Sequence, residues 1–152
     1  MRIKWFSLIR ITGLLLVLLY HFFQTIFPGG FFGVDVFFTF SGFLITALLI
    51  EEFSKNHEID LIGFFRRRFY RIVPPVVLMV LVTMPFTFLV RQDYVAGIGG
   101  QIAGVLGFMT NFYELLTGGS YESQFIPHLF VHNWSLAVEV HYYILWGLAV
   151  WF

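Results

Sequence analysis

Apolar runs near the length of a bilayer crossing fill most of this chain, and short polar stretches punctuate them. The first run covers about 8–27 and stops at Pro28-Gly29-Gly30. The second covers about 31–50 and is closed by Glu51-Glu52. A polar stretch, EEFSKNHEID, follows. LIGFFRRRFYRI has an apolar front and four arginines, and Pro74-Pro75 then opens a third run to about residue 90, closed by Arg91 and Asp93. Residues 94–112 are Gly-rich and apolar, and they either cross the membrane or re-enter it. Gly97, Gly100, Gly104 and Gly107 suit both forms, because small residues let backbones approach. NFYELLTGGSYESQFIPHLFVH reads as a loop with short ordered pieces, and a last apolar run extends from about 134 to Phe152. Since about 20 apolar residues cross a bilayer, the pattern predicts an all-α, polytopic transmembrane helical bundle with about four to five membrane segments. No internal repeat or low-complexity tract divides it.

Composition agrees. The chain is 59% hydrophobic and 12% charged, against about 25% charged in a soluble domain. The net charge of zero says nothing about partners, and the absence of cysteine removes disulfides, thiolate metal sites and a thiol nucleophile. Arg2 and Lys4 before an apolar run imitate a signal peptide. Arg10 and His21 interrupt that run, however, and no small-residue cleavage site precedes FPGGFFG, so a retained span is expected. Arg2 and Lys4 lie before the first two spans and Arg10 at the same end of the first; Lys55, Arg66, Arg67, Arg68 and Arg71 lie after them. The positive-inside bias puts both groups, and the N-terminus, on the cytoplasmic side of a multi-pass membrane protein.

Ionisable residues inside apolar runs carry the candidate chemistry, since each costs about 2.5–3.5 kcal/mol at mid-membrane on an insertion scale. Arg10 and His21 are eleven residues apart, so on a helix they lie within about 20° of one face and about 16 Å apart along the axis. A snorkelling arginine and a hydrogen-bonded histidine would satisfy the same pattern, but the shared face favours a functional stripe. Asp35 shares a face with Thr39 and Gly42, which also suits simple helix packing. In HNWSLAVEVHYY, Ser135, Glu139 and Tyr143 follow one another at single turns, and Asn133 or Ser135 could cap the helix. A buried Glu139 could act as a base or orient a histidine; a capped helix with interfacial Trp134 and Tyr143 is the structural alternative. The RRRFYR cluster either orients the protein and binds anionic lipid or docks donor phosphates through bidentate guanidinium groups. His128 and His132 have i, i+4 spacing without a convincing third ligand, so no metal is expected. Nothing resembles a phosphate-binding loop, a serine elbow, a dinucleotide signature or a nucleic-acid surface.

Four pieces in this order resemble the membrane-bound acyltransferase family 3. They are Arg10 with ten residues before His21; GGFFGVDVFFTFSGFLI; RRRFYRIVPP; and HNWSLAVEVHYY. Within that family they look like the membrane half of bacterial peptidoglycan O-acetyltransferases. The resemblance implies transfer of an acyl group, usually acetyl, from cytoplasmic acyl-CoA across the membrane to a hydroxyl of an extracytoplasmic glycan. Acetyl-CoA would be a substrate, with no bound cofactor. By position, His21 matches the family's essential histidine, Arg10 its motif partner and Glu139 the acidic residue after Trp-Ser-Leu. Arg68 and Arg71 match a basic motif suited to CoA phosphates, and Asp35, Ser41, Trp134 and Ser135 are further expected substrate contacts. Such proteins have roughly twice this many membrane residues, so residues 1–152 are expected to be the N-terminal part of a longer membrane domain. Further spans and an extracytoplasmic domain would then be its partners. Two other readings remain: a proton-coupled transporter lined by His21, Asp35 and Glu139, and a haem bundle held by His21 and His141.

Overall fold

The computed structural model describes residues 4–23, 25–89, 95, 97–118 and 128–152. Arg2, Arg91, Asp93 and Pro127 therefore lie outside the described residues. Every regular element described is helical, without strands. The chain divides into two compact units, Met1–Glu58 and Ile59–Phe152.

In the first unit, α1 (Lys4–Phe22) and α2 (Phe32–Asn56) are joined through a 3-10 turn at Pro28–Phe31. Glycines decide how they pack. A Cβ on Gly33 would lie 2.6 Å from the Gly13 carbonyl oxygen and 2.8 Å from a Val17 methyl; one on Gly30 would lie 2.4 Å from the Leu16 carbonyl oxygen. The two backbones thus meet through a seam that any larger residue would wedge open. α2 ends at His57, whose left-handed backbone (φ 56°) returns its N–H to the Phe53 carbonyl.

In the second unit, α3 (Leu61–Phe86) begins earlier than the sequence suggests. Asp60 caps it, its carboxylate accepting the Gly63 N–H at 2.8 Å. The arginine cluster therefore lies inside α3, and Pro74 and Pro75 sit in its interior instead of opening it. They donate no bond to the Tyr70 and Arg71 carbonyls, a loss that apolar membrane helices tolerate when neighbours compensate.

In the Gly-rich stretch 94–112 the described residues from 97 onward form no continuous crossing. They carry α4 (Ile98–Leu106) and the start of α5 (Thr110–Thr117). Nine residues reach about 13 Å, under half of a hydrocarbon core. α4 ends in a Schellman turn: Met109 N–H bonds the Gly104 carbonyl at 2.7 Å and Phe108 N–H bonds that of Val105 at 3.2 Å. Phe108 holds the left-handed position (φ 54°) that glycine usually takes. Val76, Val80, Val105 and Phe130 form the buried core here, with Ile72, Met79 and Leu136 packed against it. α6 (Trp134–Trp151) approaches α3 at Gly147, where a Cβ would meet the Phe64 and Phe65 rings at 3.3–3.4 Å.

Pro28–Asn56 and Leu61–Phe86 are long and apolar enough to cross a membrane, and Leu8–Phe22 is a shorter apolar helix. Large apolar side chains such as Leu14, Phe43 and Leu78 stay exposed along them, as lipid-facing surfaces do. The chain is a membrane protein by these helices.

Candidate active site

His21 ends α1, and its Nδ1 lies 2.8 Å from the Val17 carbonyl oxygen. A carbonyl only accepts, so Nδ1 carries the hydrogen and the lone pair of the neutral ring sits on Nε2. The helix itself thereby fixes the tautomer. Arg10 shares this helix, and the axial spacing expected from sequence holds because α1 runs unbroken from Lys4 to Phe22. Val17, which abuts Gly33, lies on the face between Arg10 and His21, so their stripe borders the glycine seam.

Asp35 does not join this stripe. On α2 it stands about 200° from Gly33, on the side away from the seam. It does align with Thr39 and Gly42 as expected, and with Thr46 beyond them, but both threonine hydroxyls bond back to the helix, Thr39 to the Asp35 carbonyl and Thr46 to that of Gly42 at 2.8 Å each. Ser41 is half-buried and lies off that row.

The second unit brings Arg68 and Glu139 together through Tyr143. The Arg68 guanidinium lies 5.4 Å from the Tyr143 ring centre and 5.5 Å from that of Phe64. The buried Tyr143 donates its hydroxyl to Glu139. One aromatic residue thus supports a cation on its ring and a carboxylate on its hydroxyl. Arg66, Arg67 and Arg71 are exposed. The expected caps do not form. Asn133 occupies the position before α6, but its amide donates to the Phe130 carbonyl at 3.3 Å, and Ser135 donates to that of His132 at 3.3 Å. Trp134 opens α6 half-buried.

Sequence reasoning missed a buried pair. His128 Nδ1 lies 2.6 Å from a Glu114 carboxylate oxygen, with the side chains only 5% and 7% exposed. The residues are fourteen positions apart, and only the i, i+4 spacing of His128 and His132 drew notice; His132 is exposed. Among the described residues no group of three or more histidines, cysteines or carboxylates could hold a metal ion.

Long apolar helices with lipid-type surfaces, a histidine near the end of α1 and, in the second unit, an Arg68–Tyr143–Glu139 contact define a class: membrane proteins that carry ionisable groups on apolar helices. The family is specific. Residues 3–152 match the Acyltransferase domain model, and the chain belongs to that acyltransferase family. It is 32% identical over 144 residues to the O-acetyltransferase OatA of Staphylococcus aureus (strain NCTC 8325 / PS 47), covering 95% of this chain and 24% of that protein. It is 33% identical over 142 residues to the putative O-acetyltransferase SACOL0978 of Staphylococcus aureus (strain COL), covering 93% of this chain and 24% of that one. The chain thus spans about a quarter of the length of these relatives. No solved structure matches it.

Proposed function

We propose that this chain is part of a multi-pass membrane O-acyltransferase with a cytoplasmic N-terminus and four to five membrane segments within residues 1–152. It moves an acetyl group from cytoplasmic acetyl-CoA to a hydroxyl of an extracytoplasmic glycan, peptidoglycan being the acceptor favoured by the likeness to OatA. The observation that carries this reading is the His21 tautomer, which leaves Nε2 able to take a hydroxyl proton as the oxygen attacks the acyl carbon. Arg10 extends the same stripe toward the donor. Arg68 and Arg71 hold the CoA phosphates, and Glu139 with Tyr143 fixes the Arg68 guanidinium. Asp35, Ser41, Trp134 and Ser135 are further substrate contacts in this reading. Remaining spans and an extracytoplasmic domain of the full-length protein complete the transfer.

The test uses the full-length protein in phospholipid vesicles. Ester formation on added glycan that requires acetyl-CoA supports acyl transfer. A pH-driven flux independent of acetyl-CoA supports the transporter instead.

Tyr143 gives a finer prediction. Tyr143→Phe removes the hydroxyl from Glu139 and keeps the ring under Arg68; Tyr143→Leu removes both. A hydrogen bond to a charged group contributes about 1.5–3 kcal/mol, so Tyr143→Phe, which loosens the support of Arg68, raises KM for acetyl-CoA by up to about tenfold and leaves kcat near wild type. Tyr143→Leu raises that KM by a further factor of about three, for a cation–π contact of roughly 0.5–2 kcal/mol. Steady-state kinetics separates the two.

A further inference from the structure

Thr110, Asn111 and Glu114 fall within about 100° of one face of α5. Thr110 is 1% exposed and Glu114 6%. The Thr110 hydroxyl, the Asn111 Oδ1 and the Glu114 Oε1 have no hydrogen-bond partner among the described residues, although each is buried. The other Glu114 oxygen, Oε2, is committed to His128 Nδ1 at 2.6 Å. The Tyr113 ring lies 5.5 Å from that imidazole. Leaving one such group unsatisfied costs about 1–3 kcal/mol, and three adjacent ones are unusual in a native protein. Two of the three atoms only accept, and the third both donates and accepts. What complements them must bring donors. A 2.6 Å separation of nitrogen and oxygen is a hydrogen bond, with no room for an ion between them.

We propose that Glu114 and His128 form a second acid–base dyad, at which the acceptor hydroxyl of the acyl-transfer reaction is bound and deprotonated; the inference rests on the acyl-transfer reading. Glu114 is the positioning residue: it accepts a hydrogen bond from Nδ1–H, which holds the lone pair of the neutral ring on Nε2 of His128. Glu114 Oε1, Thr110 and Asn111 receive the hydroxyl groups of the acceptor. In the step itself, the hydroxyl oxygen bonds to the acyl carbonyl carbon and its proton passes to Nε2. The bond from that carbon to the heteroatom of the acyl donor, a thioester or an ester, breaks. The departing heteroatom takes the proton from Nε2, which returns the dyad to its starting state. His21 would then take the proton of the hydroxyl that first receives the acetyl group from acetyl-CoA, and His128 that of the acceptor hydroxyl that receives it from the ester so formed.

The test uses the full-length protein in nanodiscs, with acetyl-CoA as donor and N-acetylglucosamine oligomers as the acceptor probe. General base catalysis contributes about 10²–10⁴-fold. Glu114→Gln and His128→Gln, both close in shape, are therefore expected to lower kcat about a hundredfold with KM for acetyl-CoA within about twofold of wild type. Thr110→Val, which removes only a hydroxyl, is expected to raise KM for the oligomer about fivefold, the worth of one neutral hydrogen bond, and to leave kcat unchanged. Wild-type kcat in folded Glu114→Gln and His128→Gln proteins overturns the proposal and leaves the pair a structural bond with ordered water on the orphaned oxygens. Should those two variants fail to fold, an unchanged oligomer KM in Thr110→Val overturns it as well. Absence of acetyl-CoA-dependent ester formation in the wild type is a separate outcome, which rejects acyl transfer itself and the dyad's role with it.

Discussion

His21→Gln lowers acetyl transfer by about 10²–10⁴-fold, the usual contribution of a general base, while the protein still inserts and folds. Glutamine keeps a side-chain donor that can reach the Val17 carbonyl, so the end of α1 retains its local bond. What disappears is the basic lone pair. His21 is exposed at the end of its helix and fills no cavity, so removing its ring leaves no void. The measurement is acetyl-CoA-dependent ester formation by purified full-length protein, read beside its thermal unfolding. Equal loss of activity and folded protein would make His21 a structural residue.

Gly33→Val acts at the opposite level. Its Cβ would sit 2.6 Å from a backbone oxygen of Gly13, an atom that no side-chain rotation can move away. Overpacking typically costs about 1–3 kcal/mol, and here relief requires α1 and α2 to separate. Protease resistance and melting temperature of the purified protein are expected to fall sharply, and transfer with them, because the same seam orients His21. Gly29→Ala is the control: nothing lies within 4 Å of its Cβ position, and no loss is expected. Wild-type stability of Gly33→Val would mean that the seam is not a close contact in the membrane.

Much of this architecture was legible in the apolar pattern, because lipid demands long apolar helices and tolerates few alternatives. α1 and α2 lie on the first two expected runs, but α1 stops at Phe22 and α2 continues through Glu51-Glu52 to Asn56; the one-turn register of Ser135, Glu139 and Tyr143 needed only the helix period. One misreading has a physical source. Proline normally marks a helix start, so Pro74-Pro75 misplaced the beginning of α3, whose true start is the Asp60 cap one polar stretch earlier. Composition lets 94–112 cross or re-enter, and the break between α4 and α5 is hidden because Phe108, not a glycine, occupies the left-handed position. The Arg68–Tyr143 contact and the Glu114–His128 pair join different helices or distant positions, and no local period reports such meetings. The His21 bond to Val17 is different: an i−4 carbonyl is available to any helical histidine, but only coordinates show the ring taking it.

Acetyl transfer to a glycan hydroxyl through His21 is tested most directly by the ester-linked acetate that mild base releases from cell walls. Three strains suffice: one making the full-length protein, one making its His21→Gln variant at equal abundance, and one lacking the gene. Acetate in the first and its loss from both others is the predicted result. Equal acetate in all three would contradict the wall acceptor, and the same acetate in wild type and His21→Gln above the deletion level would contradict the role given to His21.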